Sequence, residues 1–357
     1  MSKEVRKSVL VKNFAAQLIA WQKKDGRHHL PWQLDRTAYR VWLSEIMLQQ
    51  TQVSTVLVRY QEFLKRFPDL KTLAAASVDD VLSEWSGMGY YTRARNLHKC
   101  ARAVMELHDG IFPSDPSELE ALPGIGRSTA AAIAVFAYGK RAAILDGNVK
   151  RVLARIWGIE VDLGKSAETK KLWAHAETLL PHQSADLVAY TQGLMDFGAT
   201  FCTQHSPLCL SATSSACPFD KNCKAKANNK IDQIPLKVKK IKVTHLDMDW
   251  WIVTKEDASL KVLLEKRGGQ GIWAGMWSFP EQLIGVEADK AIALHKVSHV
   301  LTHRRLSIYP MRLQLKKQKF AIKQNQEWFG LREALLLGVP KPVRTILLNL
   351  IQVHGDA

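Results

Sequence analysis

Two carboxylates are placed where an acid and an anion could share work. Glu45 is the only charged residue between Arg40 and Arg59, and Trp42, Leu43, Ile46, Met47 and Leu48 surround it in sequence. On a solvent-facing helix such a glutamate merely meets water. Set among apolar groups, it has a raised pKa and carries a proton near neutral pH. Asp146 lies in Ile144-Leu145-Asp146-Gly147-Asn148-Val149-Lys150-Arg151, just before a helical stretch that runs through Ile156, so its simplest role is an N-cap. Backbone donors and the helix dipole would hold it ionised there, able to face a developing cation. A neutral acid paired with a carboxylate is what cleavage of a glycosidic bond uses.

Cysteines supply the second chemistry. Four of the five crowd into Cys202, Cys209, Cys217 and Cys223, with six, seven and five residues between them. Four clustered thiols suit zinc or a 4Fe–4S cluster, and spacing alone leaves both open. Cys100, in the helical stretch Leu97 to Val104, reads as a core thiol.

Two glycine turns could meet phosphate. Gly87-Met88-Gly89 and Gly124-Ile125-Gly126 each join one helical stretch to another. A turn of this kind exposes backbone N–H groups at the start of the following helix, and Arg127 adds charge beside the second one. The alternative for Leu122 to Arg127 is a plain interhelical turn.

The elements that must position these groups are helical up to about residue 225. Leu43, Ile46, Val53, Leu57, Tyr60, Leu64 and Phe67 recur at three- and four-residue steps, as on amphipathic helices. Ser117 with Glu120 reads as a capping box for a short helix ending at Pro123, and Thr129 to Ala137 as an alanine-rich helix. The lysine-rich stretch 229–244 reads as a linker, interrupted by Pro235. Beyond it, Trp250 to Thr254 and Leu260 to Leu264 form a hairpin pattern about the turn Glu256 to Ser259. Leu306 to Leu315 suggests a further strand whose alternation slips at Pro310, and Val343 to Val353 a final amphipathic helix.

The chain's 357 residues imply more than one domain. Its 50 Lys and Arg against 34 Asp and Glu leave a charge of +16, suited to a polyanion. No apolar run reaches the ~20 residues of a membrane span, and Met1 to Lys12 lacks the core of a secretion signal. These features suggest a cytoplasmic protein with no membrane partner, associated with the nucleoid if bacterial.

At Trp42-Leu43-Ser44-Glu45-Ile46-Met47-Leu48-Gln49-Gln50-Thr51-Gln52-Val53 the sequence is similar to the adenine DNA glycosylases of the MutY family. Leu30-Pro31-Trp32, Gly87 to Leu97, and Ile144 to Leu153 extend the likeness in the same order. The resemblance implies a mainly α, two-lobed helix-hairpin-helix glycosylase domain over 1–228, with an iron–sulfur loop at 202–223. After the linker it implies an α/β Nudix-like domain over 245–357 that recognises 8-oxoguanine. Glu45 becomes the general acid and base, and Asp146 the cation-stabilising carboxylate. Gln50, Thr51 and Tyr90 would wedge into the base stack, and Trp32 would line the adenine pocket. Gly124, Gly126, Arg127 and Ser128 of the hairpin, with Asn148 and Lys150, would meet substrate DNA. The four cysteines would hold one 4Fe–4S cluster, although the family has two residues between the second and third ligands where this chain has Leu210 to Ala216.

In the second domain, Lys266 to Pro280 resembles the family's Nudix-like lobe. Asp289-Lys290 and Ala293-Leu294 replace the carboxylates a Nudix hydrolase uses for metal, so the lobe is expected to bind and not to catalyse. Leu301-Thr302-His303 falls where the family has Phe-Ser-His, making Thr302 and His303 the expected readers. The implied partner is duplex DNA with adenine opposite 8-oxoguanine or guanine, bound by a monomer. The alternatives are an endonuclease III-like glycosylase and lyase acting on damaged pyrimidines, and a non-catalytic, metal-bearing DNA-binding protein. Ser128 argues against the first, and the paired carboxylates against the second.

Overall fold

The structure is a computed structural model that describes residues 3–162, 165–211, 217–236, 243–257, 259–283, 291–315 and 321–354, with side chains from residue 13. Asp289 and Lys290, like Ala212 to Ala216 of the cysteine loop, lie outside the described residues. The first half is helical and the last third is a sheet with helices against it. Among the described residues no helix is long and apolar enough to cross a membrane.

Two compact units emerge, and neither is continuous in sequence. One comprises Met1–Tyr60 with Cys100–Lys239, the other Gln61–Lys99 with Lys240–Ala357. In the first unit, Phe14, Leu18 and Trp21 of the helix Lys3–Asp25 enter a core with Val152 and Leu153 of the helix Gly147–Trp157 and Tyr190 of Leu187–Asp196. Each such fully buried leucine or valine contributes about 1.5–3 kcal/mol. The alanine-rich stretch is the helix Arg127–Tyr138, and its buried Ala130 to Ala134 let it lie close against the helix Ala38–Leu48. Ile231 and Ile234, within the stretch expected as linker, are buried in this same core.

Of two local signals, the first resolved into separate helices as expected and the second needed revision. The periodic run from Leu43 to Phe67 is two helices, Ala38–Leu48 and Val53–Arg66, broken where Gln50 takes φ 56°. The short helix Pro116–Glu120 is capped by Asp115, whose carboxylate accepts from the amides of Ser117 and Glu118, and not by Ser117. An aspartate followed by proline outcompetes the serine, because Pro116 fits the first helical position and leaves no amide to satisfy there.

In the second unit, the hairpin expected from sequence is β1 (Thr244–Glu256) with β2 (Leu260–Lys266). The remaining strands are β3 (Trp277–Ser278), β4 (Ile292–Ala293), β5 (Val297–Val300), β6 (Arg304–Leu315) and β7 (Gln326–Gly330). The sheet runs β3-β2-β1-β6-β4, with β5 also on β6 and β7 on β2. β1 and β6 pair in parallel from Thr244 opposite Arg304 to Lys255 opposite Leu315, Trp250 opposite Pro310. Val343, Ile346, Leu347 and Leu350 form the buried face of the closing helix Lys341–His354. The short helices Leu70–Ala75 and Val78–Glu84 belong to this unit. Lys266 Nζ pairs with Asp79 at 2.6 Å, Arg344 Nε donates to Ser86 Oγ at 3.1 Å, and Arg95 donates to the Ala274 carbonyl. Leu82 packs on Gly338, where an added Cβ would come within 2.6 Å of the leucine's own.

Candidate active site

A cavity of about 170 Å³ opens inside the first unit, lined by both carboxylates together with Trp32, Thr51 and Asn148. The helix Ala38–Leu48 buries Trp42, Leu43, Ile46 and Met47, and turns half-buried Glu45 to the cavity. Burial, and next the charge of Asp146, push the Glu45 carboxyl up to about 8. It therefore holds a proton at neutral pH, as its apolar company suggested. Trp32 is buried edge-on to Tyr60, ring centres 5.5 Å apart.

Asp146 is the N-cap of the helix Gly147–Trp157, accepting from the Val149 amide at 2.8 Å. The dipole and its donors do not set the direction of its pKa, however. Burial raises it, against the opposing amides of Val149 and Asn148 and the charges of Arg151 and Lys150. The two carboxylates still differ in character, since Asp146 has amides and cations to favour its anion whereas its charge works against that of Glu45.

Around Asp146 the backbone is pinned. Ser128 Oγ accepts from the Leu145 amide at 3.0 Å, so the hairpin's own helix fixes the residue before the aspartate. Asn148 Oδ1 accepts from Arg151 Nη2 at 2.8 Å. Opposite Asn148 stands Gly198 in the π-helical turn Phe197–Phe201; a Cβ there would fall 2.7 Å from that of Asn148.

The sequence reading missed the rest of the wall and the buried acid behind it. Asp196 is wholly buried and binds the Arg27 amide at 3.0 Å and its Nε at 2.8 Å. Asp196 also accepts from Gln192 Nε2 at 3.1 Å. Arg36 Nη2 donates to Gln192 Oε1 at 3.3 Å. Gln33 also lines the cavity, its carboxamide buried with neither polar atom partnered among the described residues. Only the nearness of Arg27, Gln33 and Arg36 to Leu30-Pro31-Trp32 hinted at them.

The hairpin is formed as expected, with Gly124 at φ 78° and exposed Gly126 capping the next helix. Arg127 is already engaged: its guanidinium pairs with Glu177 and lies 4.1 Å over the Trp173 ring. Gln50 is exposed, and Lys150 is half-buried.

Within the second unit, Tyr90 takes φ 49° with 42% of its surface exposed. Its hydroxyl is 2.6 Å from Thr302 Oγ1. Both lie on a cleft of about 640 Å³ with His303, Arg304, Arg95 and Lys341, and no carboxylate lines it among the described residues. Exposed His303 fixes its turn through its carbonyl, which accepts from the Thr244 amide at 3.1 Å.

Cys202, Cys209, Cys217 and Cys223 surround one small cavity with Phe197, Phe201 and Phe219. Burial and the neighbouring thiols raise the pKa of Cys209 and of Cys223, and that of Cys217 to about 12. Arg155 Nη1 stands 3.5 Å from the Cys202 sulfur. Its other nitrogens donate to the carbonyls of Gln204, Ile231 and Ile234, bracing both ends of the loop. Among the described residues no three His, Cys, Asp or Glu side chains are close enough to hold a single metal ion. Four soft donors in an apolar shell do fit the chemistry of an iron–sulfur group.

Residues 43–177 match the HhH-GPD superfamily of base excision DNA repair proteins, and residues 249–349 the NUDIX domain. An adenine DNA glycosylase of Buchnera aphidicola (subsp. Baizongia pistaciae, strain Bp) is 36% identical over 94% of this chain and 95% of that protein. Another, from Buchnera aphidicola (subsp. Acyrthosiphon pisum, strain APS), is 37% identical over 94% and 97%. The solved structure of a thermostable thymine-DNA glycosylase aligns with a TM-score of 0.55 at 27% identity, over 63% of this chain and 99% of that one.

Proposed function

Because this chain belongs to the adenine DNA glycosylases, we propose that it hydrolyses the N-glycosidic bond of adenine mispaired with 8-oxoguanine or guanine in duplex DNA. The product is an abasic site in a base excision repair pathway. The observation that carries this reading is the shared cavity of Glu45 and Asp146, with Glu45 protonated at neutral pH. Extruded from the stack, adenine enters beside Trp32. Glu45 donates its proton to N7, which turns the purine into a leaving group. Positive charge then grows on the sugar, and the Asp146 carboxylate faces it. Glu45, left as the anion, takes a proton from the incoming water.

The water oxygen bonds to the sugar carbon that the base has left, and Ser128 offers no amine for a Schiff base, so no strand-cutting step follows. Gln50, Thr51 and Tyr90 hold the gap in the stack, Gly124, Gly126 and Lys150 meet the backbone, and Thr302 and His303 read the oxidised guanine. Cys202, Cys209, Cys217 and Cys223 would hold a 4Fe–4S cluster, which when bound cross-links the segments that carry its four ligands. The protein works as a monomer on cytoplasmic DNA. Incubating it with duplexes that pair adenine with guanine, 8-oxoguanine or thymine, and measuring free adenine, tests the proposal. Release of damaged pyrimidines without adenine would overturn it.

A further inference from the structure

Besides the two carboxylates, Arg27 and Arg36 are charged groups lining the catalytic cavity, and Arg27 is taken up by Asp196. Arg36 stands half-buried in the wall, its guanidinium carbon 4.5 Å from the centre of the Phe136 ring. Nε donates to the Gln33 carbonyl at 3.2 Å and Nη2 to Gln192 Oε1 at 3.3 Å. The remaining nitrogen, Nη1, is buried and has no hydrogen-bond partner among the described residues. A buried guanidinium N–H left unmet is costly, which makes it the mark of a ligand's place.

What aims Arg36 is a rigid array. Wholly buried Asp196, clamped by Arg27, accepts from Gln192 Nε2 at 3.1 Å. A carboxylate only accepts and a guanidinium only donates. Gln192 must therefore give its nitrogen to Asp196 and its oxygen to Arg36. Turning the carboxamide over would set oxygen against carboxylate and nitrogen against guanidinium. At Arg36 and Gln192 the wall cannot exchange a donor for an acceptor.

We infer that Arg36 is a specificity-determining residue whose Nη1 donates to N1 of the extruded adenine, with Gln192 and Asp196 as the positioning residues that aim it. The inference rests on the reading that Glu45 meets the base at N7. A purine's N3 and N7 accept hydrogen bonds in adenine and guanine alike. N1 accepts only in adenine, and carries a hydrogen in guanine and hypoxanthine. A fixed donor thus discriminates at N1, and arginine, which never loses its proton at working pH, cannot adapt to the wrong base. N1 lies across the purine from N7. Arg36 lines the same cavity as Glu45 and Asp146.

The test is single-turnover base release from duplexes holding adenine, 1-deazaadenine, 3-deazaadenine or hypoxanthine opposite 8-oxoguanine, with wild type, Arg36→Met and Arg36→Lys. Wild type should release adenine, and replacing N1 by carbon should slow it by about ten- to one-hundred-fold, the range of one charge-assisted hydrogen bond. Arg36→Met should slow adenine release similarly, shrink the adenine to 1-deazaadenine ratio by that factor, and narrow the preference over hypoxanthine. Arg36→Lys, which keeps a donor and the charge, should fall between, and the 3-deazaadenine ratio should not move. If Arg36→Met slows every substrate equally, leaving the 1-deazaadenine ratio at its wild-type value, Arg36 is only structural and the inference fails alone. If wild type releases no adenine, the functional reading fails and the inference with it.

Discussion

Arg151 ties the catalytic loop to the cysteine loop with one side chain: Nε donates to the Cys202 carbonyl at 2.9 Å, and Nη2 to Asn148 Oδ1 at 2.8 Å. Nη2 also reaches the Gly198 carbonyl at 2.7 Å. Asn148 is two residues after Asp146, so displacement of the first cysteine is felt beside that carboxylate. Arg151→Gln should leave buried carbonyls unmet, at about 1–3 kcal/mol. Melting temperature and adenine release should both drop. Unchanged activity alongside a lowered melting temperature would show the two loops to be uncoupled.

Glu45→Gln and Asp146→Asn should each abolish base release while leaving duplex binding largely intact, since both are near-isosteric. Single-turnover kinetics beside a binding titration separates the effects. Near-wild-type release by either variant would remove that residue from the mechanism.

The raised pKa of Glu45 also sets a pH dependence. Below about 8 the acid is loaded, so single-turnover release should fall as pH rises through that value. The linkage has a definite sign. From the ordinary value of 4.5 up to about 8 the folded chain keeps a proton that the unfolded chain gives up, so this group's contribution to stability declines with rising pH. Glu45→Gln should therefore melt higher than wild type at pH 8 and gain nothing at pH 4. Equal melting curves at both pH values would contradict the burial of a titrating acid.

Purified protein should be brown, with about four irons per chain as one 4Fe–4S cluster requires. Zinc without iron in anaerobically prepared protein would exclude the cluster and leave the carboxylate chemistry standing.

Preference for 8-oxoguanine should reside in Thr302 and His303. The double change Thr302→Ala with His303→Ala should lose about ten- to two-hundred-fold in preference over guanine, as for loss of a specific base contact. Point variants are better here than removal of everything after residue 235, because that cut also strips Asp79, Ser86 and Arg95 of their partners. Equal weakening on both duplexes would make this turn a source of affinity alone.

Glu45, Asp146 and the cysteines were legible because their signals are local: an acid in apolar company, a cap before a helix, thiols in one short run. Asp196 and Gln192 were not, because Arg27 and Arg36 reach them across 169 and 156 positions. Local reading also misjudged the balance at Asp146, where donors are visible in sequence but burial is a property of the packed chain. The hairpin and closing helix of the second unit followed from alternation and periodicity. That residues 61–99 pack with the far end of the chain had no signature, since their helices look like any amphipathic helices.

That last arrangement imposes an order of events during synthesis. Asp79, Leu82, Ser86 and Arg95 leave the ribosome long before Lys266, Gly338, Arg344 and Ala274, the groups they pack against. At 5–20 residues per second the interval is roughly ten to fifty seconds. Throughout it, Leu82 lacks its cover while the segment's neighbours on both sides can already collapse together. A nascent chain in this interval is the form most exposed to proteases and to unwanted association.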